Sequence, residues 1–309
     1  MRVLVFLSVL LTGNASALQP AGQAAAVPAP DERGNYLFRW TDENGSARQY
    51  LLILPDKIAP RISVTLRRSD AGGFVYRYAI ANEKSAQRRV SSCMVDVAMP
   101  ARVVATPAGW ESGQPSGIAP RAQWFKVGFV DRVLGIPDGL APGTAVVGFE
   151  LASVNLPGVT EFKCHGDMNG LPPDLPPSIT QQVESLLTVD DELKVSAIGP
   201  VIVNSDTPTV RELTRRILRA YRPALESIQL PRSAAVVRAV NQVEVDADRS
   251  LRELRESLTA LRDLLLEEPA SPWGRQVVGG LRECIAHLLS QRNIQGTTDA
   301  ISRRAGRRP

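Results

Sequence analysis

The chain is poor in the residue types that most often carry chemistry. Of 309 residues only two are histidine, His165 and His287, and three are cysteine, Cys93, Cys164 and Cys284. A Ser–His–acid triad needs a histidine held by a carboxylate beside an activated nucleophile. His165 has Asp167 close in sequence, but no nucleophile elbow accompanies either histidine. Metal sites ask for paired Cys/His ligands at finger or loop spacing, and here Cys164-His165 and Cys284…His287 are far apart in the chain. No catalytic, metal or cofactor set is therefore assigned. Lysine is scarce too, with five residues (57, 84, 126, 163 and 194) against 31 arginines. That skew fits GC-rich coding at least as well as a selected guanidinium chemistry. The net charge is only +4, with acids and bases interleaved, which argues against nucleic acid as the main partner. Aromatics are 5% of the chain, so most are needed for the core. No apolar run reaches the roughly 20 residues of a membrane-spanning helix.

What is present begins with an address. Met1-Arg2, the apolar run Val3 to Leu11 and the small-residue site Ala15-Ser16-Ala17 have the three parts of a secretory signal peptide. Residues 1–17 are expected to be cleaved after Ala17, which places the protein in a bacterial periplasm or outside the cell. Residues 18–33, rich in Ala, Pro and Gln, read as a flexible N-terminus. In an oxidising compartment two of three cysteines are expected to pair. Cys93 and Cys164 both lie in strand-like sequence in one half of the chain and are the expected disulfide. Cys284 falls on the apolar face of a predicted helix, as a buried free thiol.

Residues 34–203 read as strands. Tyr36–Trp40, Tyr50–Leu54, Ile62–Leu66 and Phe74–Ile80 come first, and Phe74, Tyr76, Tyr78 and Ile80 alternate with Val75, Arg77 and Ala79 after an Asp70–Gly73 turn. Further strands are expected at Arg89–Val97, Arg102–Thr106, Ala122–Val127, Ala145–Leu151, Val159–Cys164 and Val195–Val203. Period-two alternation between Pro/Gly breaks points to an antiparallel, immunoglobulin-like β-sandwich. A short helix is expected near 178–187, where Ser178-Ile179-Thr180-Gln181 has the form of a capping box.

The segments Tyr76–Asn82 with Ser85-Ala86-Gln87, Pro107-Ala108-Gly109-Trp110, Ile136 through Gly143, and Gly148–Ser153 with Leu156-Pro157-Gly158 resemble a pattern in uncharacterised secreted bacterial proteins. The resemblance covers the first half of the chain. It implies a β-sandwich and carries no catalytic residue across.

From Thr207-Pro208 onward the period becomes helical. Val210, Leu213, Ile217, Tyr221, Leu225 and Ile228 form one stripe, which Pro223 is expected to kink or end. Val236, Val240, Val243, Ala247, Leu251, Leu254, Leu258, Leu261 and Leu265 form a second, read as one helix of some 30 residues. Ser271-Pro272 starts a third, with Val277, Leu281, Cys284 and Leu288 on its apolar face. Residues 207–291 are thus expected to form a three-helix domain, completing an α+β multidomain chain. The tail 292–309, with Arg303, Arg304, Arg307 and Arg308, reads as disordered.

Three smaller features complete the reading. Asp167-Met168-Asn169-Gly170 resembles the start of a calcium loop, but the twelfth position is Ser178 rather than Glu. Asp190-Asp191-Glu192 is an acidic cluster that reads best as a solvated turn. Trp110 in its Pro/Gly loop, together with His165 and Asp167, makes the candidate ligand surface. The expected function is a non-enzymatic binding or cell-envelope structural module for a protein or polysaccharide ligand. Alternatives are an extracytoplasmic hydrolase of envelope polymers, or self-association through Val236, Val240, Leu251, Leu254, Leu258, Leu261 and Leu265.

Overall fold

A computed structural model describes residues 27–70, 72–126, 139–167, 171–172, 174–187, 192–204, 206, 208–230, 232–267 and 269–291. The expected signal peptide, most of the flexible stretch and the basic tail lie outside the described residues, as do Met168–Gly170 of the calcium-like turn. The chain is α+β, with antiparallel sheets in its N-terminal half and helices at its C-terminal end.

The chain divides into two compact units. The smaller takes in residues up to Leu52 and 171–186. Strands β1 (Tyr36–Thr41) and β2 (Ala47–Leu52) pair as an antiparallel hairpin, with α1 (Pro177–Leu186) in the same unit. A two-stranded hairpin is marginal alone and needs a further packed element. The buried side chains Phe38, Leu52, Leu175, Ile179 and Val183 belong to this unit.

Among the described residues the larger unit holds nine strands: β3 (Pro60–Arg68), β4 (Phe74–Asn82), β5 (Val90–Asp96), β6 (Ala101–Ala105), β7 (Glu111–Gly113), β8 (Arg121–Phe125), β9 (Thr144–Ser153), β10 (Leu156–Gly166) and β11 (Leu193–Ile202). They make one sheet of order β3-β4-β9-β6 and another of order β11-β10-β5-β8-β7. The alternation read in Phe74–Ile80 sends Phe74, Tyr76, Tyr78 and Ile80 into the core and leaves Arg77 outside. The two sheets meet through rings: Tyr78 lies 4.8 Å from Phe162 and 5.9 Å from Trp124, and Phe149 lies 5.5 Å from Trp124.

Both edges of the four-stranded sheet are closed by a glutamine amide. Gln276 accepts from Val64 N at 3.0 Å and donates to Ile62 O on edge strand β3. Gln114 accepts from Val103 N at 2.8 Å and donates to Val103 O on edge strand β6. Each amide mimics one residue of a neighbouring strand and removes backbone groups that invite a second sheet.

Among the described residues four helices follow rather than three: α2 (Val210–Ser227), α3 (Ser233–Ala247), α4 (Leu251–Leu264) and α5 (Pro272–Ser290). The stripe read as one long helix is interrupted at Asp248–Ser250. Ser250 caps α4, its Oγ accepting from Glu253 N at 3.1 Å and donating to the Glu253 carboxylate at 2.6 Å. A uniform apolar period runs through the break because both helices turn their stripes into the same core. Val236, Val240, Leu254, Leu258, Leu261 and Leu265 are all buried there. Association through that stripe would therefore require α3 and α4 to separate from it.

Two helix ends also differ from the pattern. Thr209, not Thr207, caps α2, accepting from Glu212 N at 3.2 Å. Pro223 lies inside α2, which continues to Ser227 because Ala224 and Leu225 are buried beyond it. The Arg219 carbonyl that loses its donor belongs to an exposed residue, on the solvent side of the helix. Ser271-Pro272 starts α5 as expected. Helices α2 and α5 pack on β10 and β11, and one continuous core runs through both sheets and all four helices.

Three buried tyrosines yield a graded expectation. Tyr76 Oη donates to Asn155 O at 2.9 Å and Tyr221 Oη to Pro157 O at 3.0 Å. Tyr78 Oη is buried with no partner among the described residues. Tyr76→Phe and Tyr221→Phe should each cost about 1 kcal/mol, whereas Tyr78→Phe should be neutral or stabilising by a similar amount. Equal losses at all three positions in urea denaturation would show that Tyr78 has a hydrogen bond after all.

Candidate functional site

Two buried asparagines fix the ends of the paired sheets. At one end Asn82 accepts from Ala59 N at 3.0 Å and donates to Arg88 O at 2.8 Å and Leu140 O at 3.0 Å. A single amide thereby ties three connecting segments. Arg88 is buried beside it and donates through both Nε and Nη2 to Ile53 O. Asn155, towards the other end, donates to Ala98 O at 2.8 Å and accepts from Asn204 N at 3.0 Å.

His165 and Asp167 lie at the Asn82 end. Along β10 Cys164 points inward and His165 outward, as strand alternation requires. His165 Nε2 is 3.2 Å from Glu192 Oε1. Asp167 N donates to Arg89 O at 2.9 Å, and its Oδ1 accepts from Arg89 N at 3.1 Å. Burial raises the Asp167 carboxyl above its ordinary range, against the opposing pull of Arg88 and of the bond from Arg89 N. Gly166 must be glycine, because a Cβ there would run into the Pro55 carbonyl.

Trp110 is not part of this group. Its ring stands edge-on to Phe149 at 5.2 Å, against the core. The register Glu111–Phe125–Ser92–His165 puts three strand spacings between the residue after Trp110 and His165. At about 4.8 Å per spacing that is roughly 14 Å. Of the expected ligand surface, the structure brings His165 and Asp167 to one end and leaves Trp110 apart.

The neighbours of His165 limit its chemistry. The register partner of His165 on β5 is Ser92, and the neighbouring Ser91 Oγ donates to Gly166 O at 3.0 Å and His165 O at 3.3 Å. Glu192 comes from the acidic cluster whose other members, Asp190 and Asp191, lie outside the described residues. Sequence could flag Glu192 as acidic but not as the partner of His165, since the pairing of β10 with β11 sets that contact. Below His165 the outer face of the five-stranded sheet carries paired charges. Arg121 and Lys163 reach Asp96 at 2.7 and 3.7 Å, and Lys194 reaches Glu161 at 3.9 Å. Such exposed pairs add little stability and mainly set a pattern of charge.

The expected Cys93–Cys164 disulfide is corrected by the structure. The two residues face each other across β5 and β10, both fully buried, but as free thiols with Sγ atoms 2.8 Å apart. A covalent bond would bring them to about 2.05 Å, well short of the separation seen. Burial, and then the neighbouring thiol, push Cys93 well above the ordinary thiol range. Cys284 is buried as expected, donating to Pro157 O at 3.1 Å and raised chiefly by burial. None of the three thiols should react with a thiol reagent in the native protein, and three equivalents should appear in denaturant. A single equivalent in denaturant would reinstate the disulfide.

Among the described residues no group of three or more His, Cys, Asp and Glu could hold a metal ion. No helix among them is long and apolar enough to cross a membrane. No protein-family model matches the chain, and no curated protein matches it.

Proposed function

We propose that this chain is an exported, non-enzymatic binding or cell-envelope structural module whose scaffold is an immunoglobulin-like sandwich. The scaffold reading draws on strand order: β3-β4-β9-β6 against β11-β10-β5 follows the A-B-E-D against G-F-C arrangement. The signal-peptide pattern at residues 1–17 supports export. The observation that carries the binding role is the commitment of the groups around His165. Its imidazole meets a carboxylate, the hydroxyl of Ser91, the residue before its strand partner Ser92, is spent on backbone carbonyls, and all three thiols are sealed in the core. What remains on the outer face of the five-stranded sheet is an array of paired charges on a rigid frame, which suits recognition of a partner surface.

The test is native co-purification of the full-length gene product from the extracytoplasmic fraction of its host, with peptide mass spectrometry. A mature start at Leu18 and a reproducible partner, weakened about tenfold by the pair Arg121→Glu and Lys194→Glu, are expected; that factor corresponds to about 1.4 kcal/mol. An intact Met1, or a partner indifferent to both substitutions, overturns the reading. The hydrolase alternative draws on the His165–Glu192 contact, a base with an orienting carboxylate. A hydrolytic activity abolished by His165→Ala would favour it over the binding role.

A further inference from the structure

We propose that the concavity between the start of α2 and the end of α5 is a binding site for a small organic monocarboxylate with an apolar body. The cavity has a volume of about 650 Å³ and is lined by Asn204, Val210, Arg211, Leu251, His287 and Gln291 among others. Small-molecule sites occupy roughly 300–1,000 Å³ and combine an apolar wall with a few convergent polar groups. Val210 and Leu251 provide apolar wall here, and the polar groups come from the β11–α2 connection and from α2 and α5.

Among the described lining residues the fixed charge is single and positive, that of Arg211. Arg211 Nη2 donates to Arg249 O at 3.1 Å, a neutral carbonyl. Neighbouring arginines of the same helix are matched by acids: Arg215 pairs with Asp248, and Arg216 with Asp206 and Glu212. Among the described residues Arg211 has no such carboxylate, and none of those lining the cavity is Asp or Glu. His287 does not add a second charge, because burial and then the Arg68 charge lower its pKa below the ordinary imidazole value. Its Nε2 lies 3.4 Å from Gln291 Nε2, a long contact that leaves both side chains free to turn to a ligand. A guanidinium offers paired donors that match a carboxylate, so one anionic head beside an apolar wall is the ligand this set accepts.

This site does not depend on the macromolecular binding role proposed above. The experiment uses hexanoate, hexan-1-ol and hexylamine as probes on the full mature chain, followed by ligand-observed NMR. Hexanoate is expected to bind at least about tenfold more tightly than the alcohol, and the amine not at all, since a charge-assisted bond contributes roughly that factor. Arg211→Gln should remove the preference for hexanoate while leaving the thermal unfolding temperature within a few degrees, and Arg211→Lys should keep part of it. Absence of hexanoate binding, equal binding of acid and alcohol, or a preference that survives Arg211→Gln would each overturn the assignment.

Discussion

Trp124→Ala is expected to destabilise the larger unit by about 3–5 kcal/mol, the largest loss available from a single truncation here. Trp124 is the bulkiest fully buried side chain, sitting on β8 between Tyr78, Phe149 and Phe162, with the Phe162 ring 6.4 Å away and nearly parallel. Removing it deletes the ring that three aromatics of both sheets touch, and the paired sheets cannot collapse onto the void without losing their register. Domains as a rule are stable by only about 5–15 kcal/mol, so the loss would take a large share of the total. Trp124→Phe should cost much less, about 1 kcal/mol. The indole Nε1 is buried without a partner among the described residues, and phenylalanine removes that unpaired donor while filling most of the space. Urea denaturation followed by circular dichroism separates the two variants. Equal losses for Ala and Phe would mean that the ring volume is not what holds the sheets together.

Gly280→Ala should cost about 1–3 kcal/mol, while Gly279→Ala should gain about 0.5–1 kcal/mol, although the two residues are adjacent on one helix. A Cβ at position 280 would fall well inside contact with Tyr221 Oη and close to Ile198 on β11. Tyr221 is fully buried and held by its bond to Pro157 O, so it cannot swing away without breaking that bond. At position 279 a Cβ meets nothing within 4 Å, and only the helix propensity of alanine over glycine remains. The double variant Gly280→Ala with Tyr221→Phe should cost less than the sum of the two single changes, because the hydroxyl that obstructs the methyl group is gone. Thermal melts of the four proteins decide the matter. A stabilising Gly280→Ala would show that α5 does not sit this close to α2 and β11.

Local periodicity determined the elements and their burial. Alternation in Phe74–Ile80 placed Tyr76 and Tyr78 inside, and steps of three and four placed Leu254, Leu258 and Leu261 inside, because those periods are set by backbone geometry alone. The Ser271-Pro272 start of α5 was equally legible from its capping chemistry. Strand β7 has no signature in the sequence, since Glu-Ser-Gly carries no alternation. The break at Ser250 was within reach through its Ser-x-x-Glu box, but the unbroken apolar stripe outweighed it.

Only tertiary structure decided what meets what. Periodicity says which face of an element is buried and nothing about the element it is buried against. The contact of His165 with Glu192, the separation of Trp110 from both, and the glutamine amides on β3 and β6 all join residues far apart in the chain. The thiols of Cys93 and Cys164 show the limit most directly. Sequence placed both in strand-like segments of one half of the chain. The pairing of β5 with β10 set them side by side on one sheet face, where they remain two thiols. The cavity beside Arg211 belongs to the same class, because its walls come from α2, α4 and α5 and exist only once those helices have packed.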